Sequence, residues 1–316
     1  MPERNNVPAL DARLEERINV GPDGFVRLVD YMGSEASIVR AARVSYGSGT
    51  KTVREDRALI RYLVEHSHTS PLEQVVLTFH CRLPIYVARQ WVRHRTARLN
   101  EYSGRYSEMI DSAEKVTEWR GQATTNKQGS VQGGIEYPDG FIPYEHLQDA
   151  EMANRISGDP QTYLSVRQSE LQQYAREVYE ERLAFGVARE MARNDLPLST
   201  YTEWYWQMDL HNLLHFLSLR QDSHAQKEIR EYADAIAEIV KDGYPNVWEA
   251  HLCFDVRKDA VKFSGDEAKA LRWILGEMTN IGAMLGSKDL GVDLGSERAN
   301  EAFLAKLRKL VEPGVE

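Results

Sequence analysis

Residues 75–83 form a β-rich segment with Pro71 before it and Pro84 immediately after it. Proline is rarely found inside a strand because it removes a ladder hydrogen bond, so the two prolines predict a β-strand that stops at residue 83. Pro84 also suits the first turn of a helix, since its fixed φ angle is close to the helical value. Apolar residues on one face of the following turns predict an amphipathic helix that delivers residues 93–95 near its end.

Other patterns along the chain predict further strands and helices. Residues 24–31 alternate between apolar and polar positions and are interpreted as a second strand. Ser34 is a suitable first residue for a helix. Residues 100–107 are expected to form a loop. Helices are expected over residues 34–44, 54–65, 162–185, 203–219, 224–240, 266–284 and 296–311.

Charge is distributed unevenly along the chain. The net charge is −9, which argues against a nucleic-acid partner because such binding depends on a basic surface. Residues 82–105 nevertheless contain six arginines, no lysine and a single acid, Glu101. The planar guanidinium group matches phosphate and carbonyl edges well, so this segment predicts a phosphate or nucleotide site.

Several patterns for other chemistries are incomplete. Cys81 lies within the strand expected at 75–83, where an apolar environment would disfavour a nucleophilic thiolate. His211 and His215 are four residues apart, with Asp209 nearby, but no third metal ligand is evident, so we expect no metal. No G-x-G-x-x-G sequence follows a strand, which argues against a Rossmann dinucleotide site. No apolar run approaches the ~20 residues of a membrane span and no secretory segment is visible, so we expect a cytoplasmic protein without a membrane partner.

Three separated motifs resemble those of the flavin-dependent thymidylate synthases. Arg93-His94-Arg95, followed after seven residues by Ser103, reproduces the R-H-R-x7-S motif of that family. The segment 66–73 is similar to its H-x-(T/S)-P-x-E sequence, and the segment 219–226 to its L-R-x-D-x-H-A-Q block. Together the matches cover roughly residues 24–108 and 184–245, in the family's order. Three matches in order are far less frequent by chance than one short motif.

The resemblance implies a fold and a function. The implied fold is a single large α/β domain, with a sheet wrapped by long helices and without a Rossmann sheet. The implied reaction converts dUMP to dTMP, with 5,10-methylenetetrahydrofolate as carbon donor and FAD, reduced by NADPH, as hydride source. The family is homotetrameric with sites shared between subunits. Two alternatives stay open: a metal-dependent nucleotide phosphohydrolase using Asp209, His211 and His215, and a non-catalytic nucleotide-binding module.

The resemblance also implies roles for individual residues. Arg220 matches the arginine that contacts the uracil edge and favours ionisation at N3, so we expect it to be catalytic. For Ser103 we favour phosphate binding over nucleophilic attack, because no base with an orienting group is evident. The expected dUMP-binding residues are Gln90, Arg93, Glu101, Ser103, Gly104, Arg105, Arg193 and Arg220. The expected FAD-binding residues are Ser70, Arg93, His94, Arg95, Glu101, Asp209, Leu210, His211 and His215, and His68 and Tyr106 match positions near the stacked flavin and folate.

This sequence departs from the family's pattern in two places. Arg98 stands where the family usually has a small polar residue, and Asp209 and His211 replace residues that are usually Asn and Arg. The expected domains are an N-terminal arm over 1–23, a catalytic domain over 24–249 and a helical C-terminal extension over 250–316. Within the catalytic domain, residues 110–160 are expected to form a mobile insertion, because residues 120–134 are polar and offer little to bury.

Overall fold

A computed structural model describes residues 6–44, 53–124, 129–141 and 159–255, together with residue 271. The chain divides into two units, Met1–Asp259 and Ala260–Glu316. Apart from residue 271, the second unit lies outside the described residues, and so do the helices expected over 266–284 and 296–311. No described helix is long and apolar enough to cross a membrane.

Five strands form one antiparallel sheet in the order β1-β2-β3-β7-β4. β3 and β7 pair along their full lengths, from Val76 opposite Asp209 to Pro84 opposite Tyr201. Every pairing in this sheet is antiparallel, so the described residues form a mixed α/β domain without the parallel sheet of a Rossmann fold. The strands are β1 Arg17–Val20, β2 Gly24–Met32, β3 Val76–Pro84, β4 Arg98–Glu101 and β7 Tyr201–Asp209, with a separate pair formed by β5 Gly121–Gln122 and β6 Ser130–Val131.

Two of the helices begin at residues whose side chains cap the helix. Ser34 caps α2 and forms a capping box with Ser37, while the Asp159 side chain accepts hydrogen bonds from the first N–H groups of α5. The described helices are α1 Pro8–Asp11, α2 Glu35–Arg43, α3 Val53–Glu65, α4 Ile85–Trp91, α5 Pro160–Ala184, α6 Arg189–Ala192, α7 Leu210–Arg220, α8 Lys227–Gly243 and α9 Pro245–Phe254, with 3-10 turns at Leu72–Gln74 and Arg193–Asp195.

One face of the sheet packs into the core beneath α4, α7 and α8. Burial alternates along β3 and β7, as expected for strands with a single core face. Trp91 of α4 contacts Trp204 and Trp206 of β7 edge-on, with ring centroids 5.4 and 5.2 Å apart, and stacks on Phe216 of α7 at 5.0 Å. This aromatic cluster fixes the ends of α4 and α7 relative to the sheet.

The helix expected over residues 203–219 was wrong in its first half. Residues 201–209 form β7, and α7 begins only at Leu210. Trp204, Trp206 and Met208 are buried and the residues between them are not, which is the period of two of a strand. The loop expected over 100–107 was also partly wrong, since residues 100 and 101 belong to β4, which pairs with the other side of β7.

Two segments expected to lie outside the core are packed where the structure describes them. Residues 6–23 contain α1 and β1, and Leu10 is fully buried. In the segment 110–160, Trp119 bonds to Gln161 and Ser165 of α5. Residues 125–128 and 142–158 lie outside the described residues, and the mobility of this insertion stays a prediction.

Candidate functional site

The end of α4 carries the Arg-His-Arg sequence out of the aromatic cluster. Trp91 is fully buried, and the backbone N–H of His94 donates to the Trp91 carbonyl oxygen over 3.0 Å. The His94 ring lies edge-on to Phe216, with centroids 4.9 Å apart. His94 is therefore held between α4 and α7, whereas Arg93 and Arg95 on either side of it are exposed.

Arg220, the last residue of α7, forms the centre of a small polar group. Its Nε donates to His94 Nε2 over 3.0 Å, and one terminal nitrogen donates to the main-chain oxygen of Gln90 over 3.2 Å. A cation at the C-terminus of a helix is also favoured by the helix dipole. The second terminal nitrogen of Arg220 has no hydrogen-bond partner among the described residues, so it is available to a ligand.

His94 is neutral near pH 7. Burial is the largest cause of a lowered pKa, the charges of Arg220 and His215 act in the same direction, and together they bring the pKa of His94 to about 4. A neutral ring can accept the hydrogen bond from Arg220 at Nε2 only if its other nitrogen carries the proton. Burial also lowers the pKa of Arg220, which nevertheless stays charged because a guanidinium group ionises far above neutral pH.

A second polar group surrounds the Ser103-Gly104-Arg105 turn. The backbone N–H groups of Tyr106 and Ser107 both donate to the Ser103 carbonyl oxygen. Gly104 is buried, and a Cβ atom there would lie 2.2 Å from Met109 Sδ and 3.2 Å from a terminal nitrogen of Arg193. The absence of a side chain at residue 104 therefore lets Arg193 lie against this turn.

The arginines of the two groups differ in how far they are neutralised. Arg105 forms an ion pair with Glu190 over 3.0 Å, in which both side chains are largely exposed. Arg93, Arg95, Arg98 and Arg193 form no ion pair within the part of the chain that the structure describes. Unpaired guanidinium groups suit the phosphate of a nucleotide and the pyrophosphate of FAD, so the residues present fit both groups.

Glu101 lies at the end of β4, where it pairs with Trp204 of β7. Its Oε1 accepts a hydrogen bond from Thr202 Oγ1 over 2.8 Å. Among the described residues, no hydrogen bond or ion pair joins Glu101 or the Ser103 turn to Arg220. Among the described residues, the expected dUMP-binding residues therefore form two groups that share no hydrogen bond.

The expected flavin stretch begins at the start of α7. The Asp209 carboxylate caps α7, since it accepts from the Asn212 backbone N–H over 2.9 Å and from the Asn212 amide over 2.8 Å. Leu210 is fully buried, so only its backbone could face a ligand, whereas His211 is half-buried and His215 is exposed. The 3-10 turn Leu72–Gln74 packs against α7, which brings the segment containing Ser70 to the same helix.

A family model described as "Thymidylate synthase complementing protein" matches residues 27–246. The flavin-dependent thymidylate synthase of Treponema denticola is 50% identical over 266 residues, which cover 82% of this chain and 90% of the relative. That of Thermus thermophilus is 47% identical over 294 residues, which cover 92% and 94%. This chain belongs to the flavin-dependent thymidylate synthase family. The resemblance of the three motifs is thereby confirmed.

Solved structures agree with this membership. The structure of the UMP/dUMP methylase PolB from Streptomyces cacaoi bound with 5-Br dUMP matches with a TM-score of 0.60 and 29% sequence identity. The match covers 77% of this chain and 100% of PolB. A phosphohydrolase is not favoured by these relatives, and the described residues contain no group of three His, Cys, Asp or Glu that could hold a metal.

The two residues expected near the stacked flavin and folate of this family are both exposed on the surface. Tyr106 is 81% exposed, and its carbonyl oxygen accepts a hydrogen bond from Arg189 over 3.3 Å. His68 is also exposed and meets the edge of Tyr62, with ring centroids 5.6 Å apart. Neither ring is covered by described residues of this chain, so a ligand or a second chain must supply any stacking partner.

Sequence reasoning missed one contact with the expected site. The sequence motifs predicted no role for Gln226, yet it accepts a short hydrogen bond from the side chain of Gln90. Its position in the block 219–226 was a signal, because that block also contains Arg220. The contact itself could not be inferred, since it joins two segments that are distant in the sequence.

Proposed function

We propose that this chain methylates dUMP to dTMP, with 5,10-methylenetetrahydrofolate as carbon donor and FAD, reduced by NADPH, as hydride source. Membership of the flavin-dependent thymidylate synthase family supports the reaction. The observation that carries the proposal is the position of Arg220, which is held by His94 and the Gln90 main chain and keeps one terminal nitrogen free.

Arg220 can stabilise the charge that develops on the uracil ring. A cation held in place before the reaction needs no reorganisation when the ring becomes anionic, and its effect is larger in a partly buried site than in water. Neutral His94 leaves the guanidinium as the single positive charge of that group. Arg220 is therefore suited to lower the cost of ionisation at N3.

The phosphate of dUMP would lie at the Ser103-Gly104-Arg105 turn, with Arg193 beside it. The backbone N–H groups of residues 105–107 already donate to Ser103, so side chains would bind the anion: the Ser103 hydroxyl can donate to it, and Arg193 supplies a guanidinium group. Arg93 would supply a further guanidinium group. Gln90 and Glu101 would hold the nucleoside between the two polar groups.

Arg93, His94, Arg95, Ser70 and Glu101 would hold FAD together with the stretch from Asp209 to His215. The reduced cofactor supplies the hydride needed to complete the methyl group. The exposed guanidinium groups of Arg93 and Arg95 would neutralise the pyrophosphate. At the start of α7, Asp209 and Leu210 would contribute mainly through the helix backbone, because the Asp209 carboxylate already caps the helix.

We also propose a homotetramer whose subunits complete one another's sites. α5 is 25 residues long but buries only Tyr163, Ala175 and Tyr179. Leu171 and Tyr174 on this helix are 61% and 67% exposed, and Phe185 just beyond it is 87% exposed. Large apolar side chains exposed along one element are typical of a protein–protein interface.

The test is dTMP formation by the purified protein. We expect turnover only when dUMP, methylenetetrahydrofolate and NADPH are all supplied to the flavin-loaded protein, and we expect a chelator to leave the rate unchanged. Turnover of dUMP to deoxyuridine that stops with the chelator would instead support the phosphohydrolase. Tight dUMP binding without turnover in the complete mixture would support the non-catalytic module.

A further inference from the structure

Gln226 connects the start of α8 to the candidate nucleotide site. Its Oε1 accepts a short hydrogen bond from Gln90 Nε2. Gln90 also accepts, through its main-chain oxygen, the hydrogen bond from Arg220 over 3.2 Å. One residue of α4 therefore contacts both Gln226 and the arginine that is proposed to act on the uracil ring.

The surroundings of Gln226 favour one orientation of its amide. Glu228 lies at the start of the same helix, and burial would raise the pKa of its carboxyl group. Arg120 and the Gln226 amide act in the opposite direction, and the pKa is lowered overall. Glu228 Oε2 has no hydrogen-bond partner among the described residues, so this carboxylate oxygen is left facing its surroundings as a negative charge. The carboxylate attracts the NH2 end of the Gln226 amide, which leaves its oxygen for Gln90.

Glu228 is itself held by the β5–β6 pair. Arg120, next to β5, donates to Glu228 Oε1 over 2.7 Å, and only 16% and 18% of the two side chains are exposed. Arg120 also donates to Ser130 of β6 over 2.9 Å. A cavity of about 640 Å³ lies between the β5–β6 pair and residues 223–230. The ion pair of Arg120 with Glu228 therefore connects the start of α8 to the β5–β6 pair beside this cavity.

We infer that Gln226 is a positioning residue, which fixes the side-chain amide of Gln90 in the orientation that binds dUMP. A free amide can rotate and present either its NH2 group or its oxygen to a ligand. Fixing one orientation before binding removes part of the ordering cost from the binding step. The inference rests on the proposed function only in taking dUMP as the ligand.

The test measures dUMP binding by calorimetry and dTMP formation by steady-state kinetics, with the flavin-loaded full-length protein. The decisive variants are Gln226→Leu, Gln90→Ala and the two combined. The swapped variant, Gln226→Glu with Glu228→Gln, keeps the net charge, the acceptor for Gln90 and an acceptor for Arg120. Gln221→Leu is the matched control, because it removes a side-chain hydrogen bond between the end of α7 and α8 without touching Gln90.

We expect Gln226→Leu to weaken dUMP binding by about three- to tenfold, the range for one lost hydrogen bond. The same rise is expected in KM, with flavin absorbance unchanged. In the Gln90→Ala background the substitution should have no further effect. The swapped variant and Gln221→Leu should bind dUMP within about twofold of the wild type, well below that range.

Three results would overturn the inference: unchanged binding in Gln226→Leu, additive losses in the combined variant, or a swapped variant as weak as Gln226→Leu. Should Gln226→Leu fail to fold, Gln226→Met takes its place in the test, because methionine keeps the side-chain length. Wild-type protein that binds no dUMP would overturn the proposed function, which separates that failure from failure of the inference.

Discussion

At the scale of single residues, the contact between Arg220 and His94 determines the electrostatics of the candidate site. The histidine is neutral and accepts a hydrogen bond, so it orients the guanidinium group without competing with its charge. A protonated ring at this position would repel Arg220 and could not accept that hydrogen bond. Substitutions at the two residues should therefore have different effects.

Arg220→Ala should reduce kcat for dTMP formation by at least about a hundredfold, the usual effect of removing a preorganised charge-stabilising group. The purified variant should stay yellow, because Arg220 is not among the residues proposed to hold FAD. Arg167→Ala is the matched control, since it removes an exposed arginine whose one ion pair within the described ranges is with Glu170 on α5. Turnover of Arg220→Ala near the wild-type rate would exclude Arg220 from its proposed role.

The depressed pKa of His94 predicts a pH dependence of stability. An unfolded histidine titrates near 6.5 and folded His94 at about 4, so the unfolded state binds more protons between these values. Stability contributed by neutral His94 is complete above pH 6.5 and is lost as the pH falls toward 4. Allowing for its partial exposure, we expect wild-type protein to lose about 1 kcal/mol more than His94→Gln between pH 7 and pH 5, measured by urea unfolding. Parallel curves for the two proteins would contradict this.

At the scale of elements, the site depends on where α4 and α7 end. Both helices pack on the same aromatic cluster, in which Phe216 stacks on Trp91 and also contacts His94 edge-on. Phe79 of β3 is equally buried, but its ring contacts Trp206, and no ring contact joins it to His94 among the described residues. Substitutions at Phe216 and Phe79 can therefore separate the effect of lost core packing from the effect of lost His94 positioning.

Phe216→Leu and Phe79→Leu should each lower the free energy of unfolding by about 1–2 kcal/mol, because each removes buried ring volume. Only Phe216→Leu should also raise the KM for dUMP, since it loosens His94 and with it Arg220. Thermal or urea unfolding and steady-state kinetics on both variants provide the comparison. Equal rises in KM would show that the loss follows general destabilisation and not the position of Phe216.

Local sequence predicted the elements whose pattern is self-contained. The β3–α4 unit follows from Pro84 and the apolar periodicity around it, and α2 follows from its Ser34 cap. β7 was predicted as helix because its apolar residues are followed directly by those of α7. The period of two of a strand and the period of 3.6 of a helix therefore adjoin without a turn between them. Its pairing with β3 and β4, like the contact of Gln90 with Gln226, joins distant segments that local patterns do not reveal.

At the scale of the whole molecule, the exposed face of α5 predicts assembly. The wild-type protein should elute with a mass about four times that of the 36.2 kDa chain. Leu171→Glu should reduce this mass and release flavin, because it places a charge in the proposed interface. Gln173→Glu, a polar and exposed position on the same helix, is the control and should remain assembled. A wild-type monomer that binds flavin and forms dTMP would contradict shared sites.

In the proposed function, dUMP and the flavin occupy one site around Arg220 and the Arg-His-Arg sequence. We would test this shared site by anaerobic absorbance of the purified protein, mixed with NADPH in the presence and absence of dUMP. We expect a flavin spectrum that bleaches faster when dUMP is present, because the nucleotide completes the site in which the flavin is reduced. A protein that shows no flavin band after incubation with FAD, or a bleaching rate that is the same with and without dUMP, would contradict the shared site.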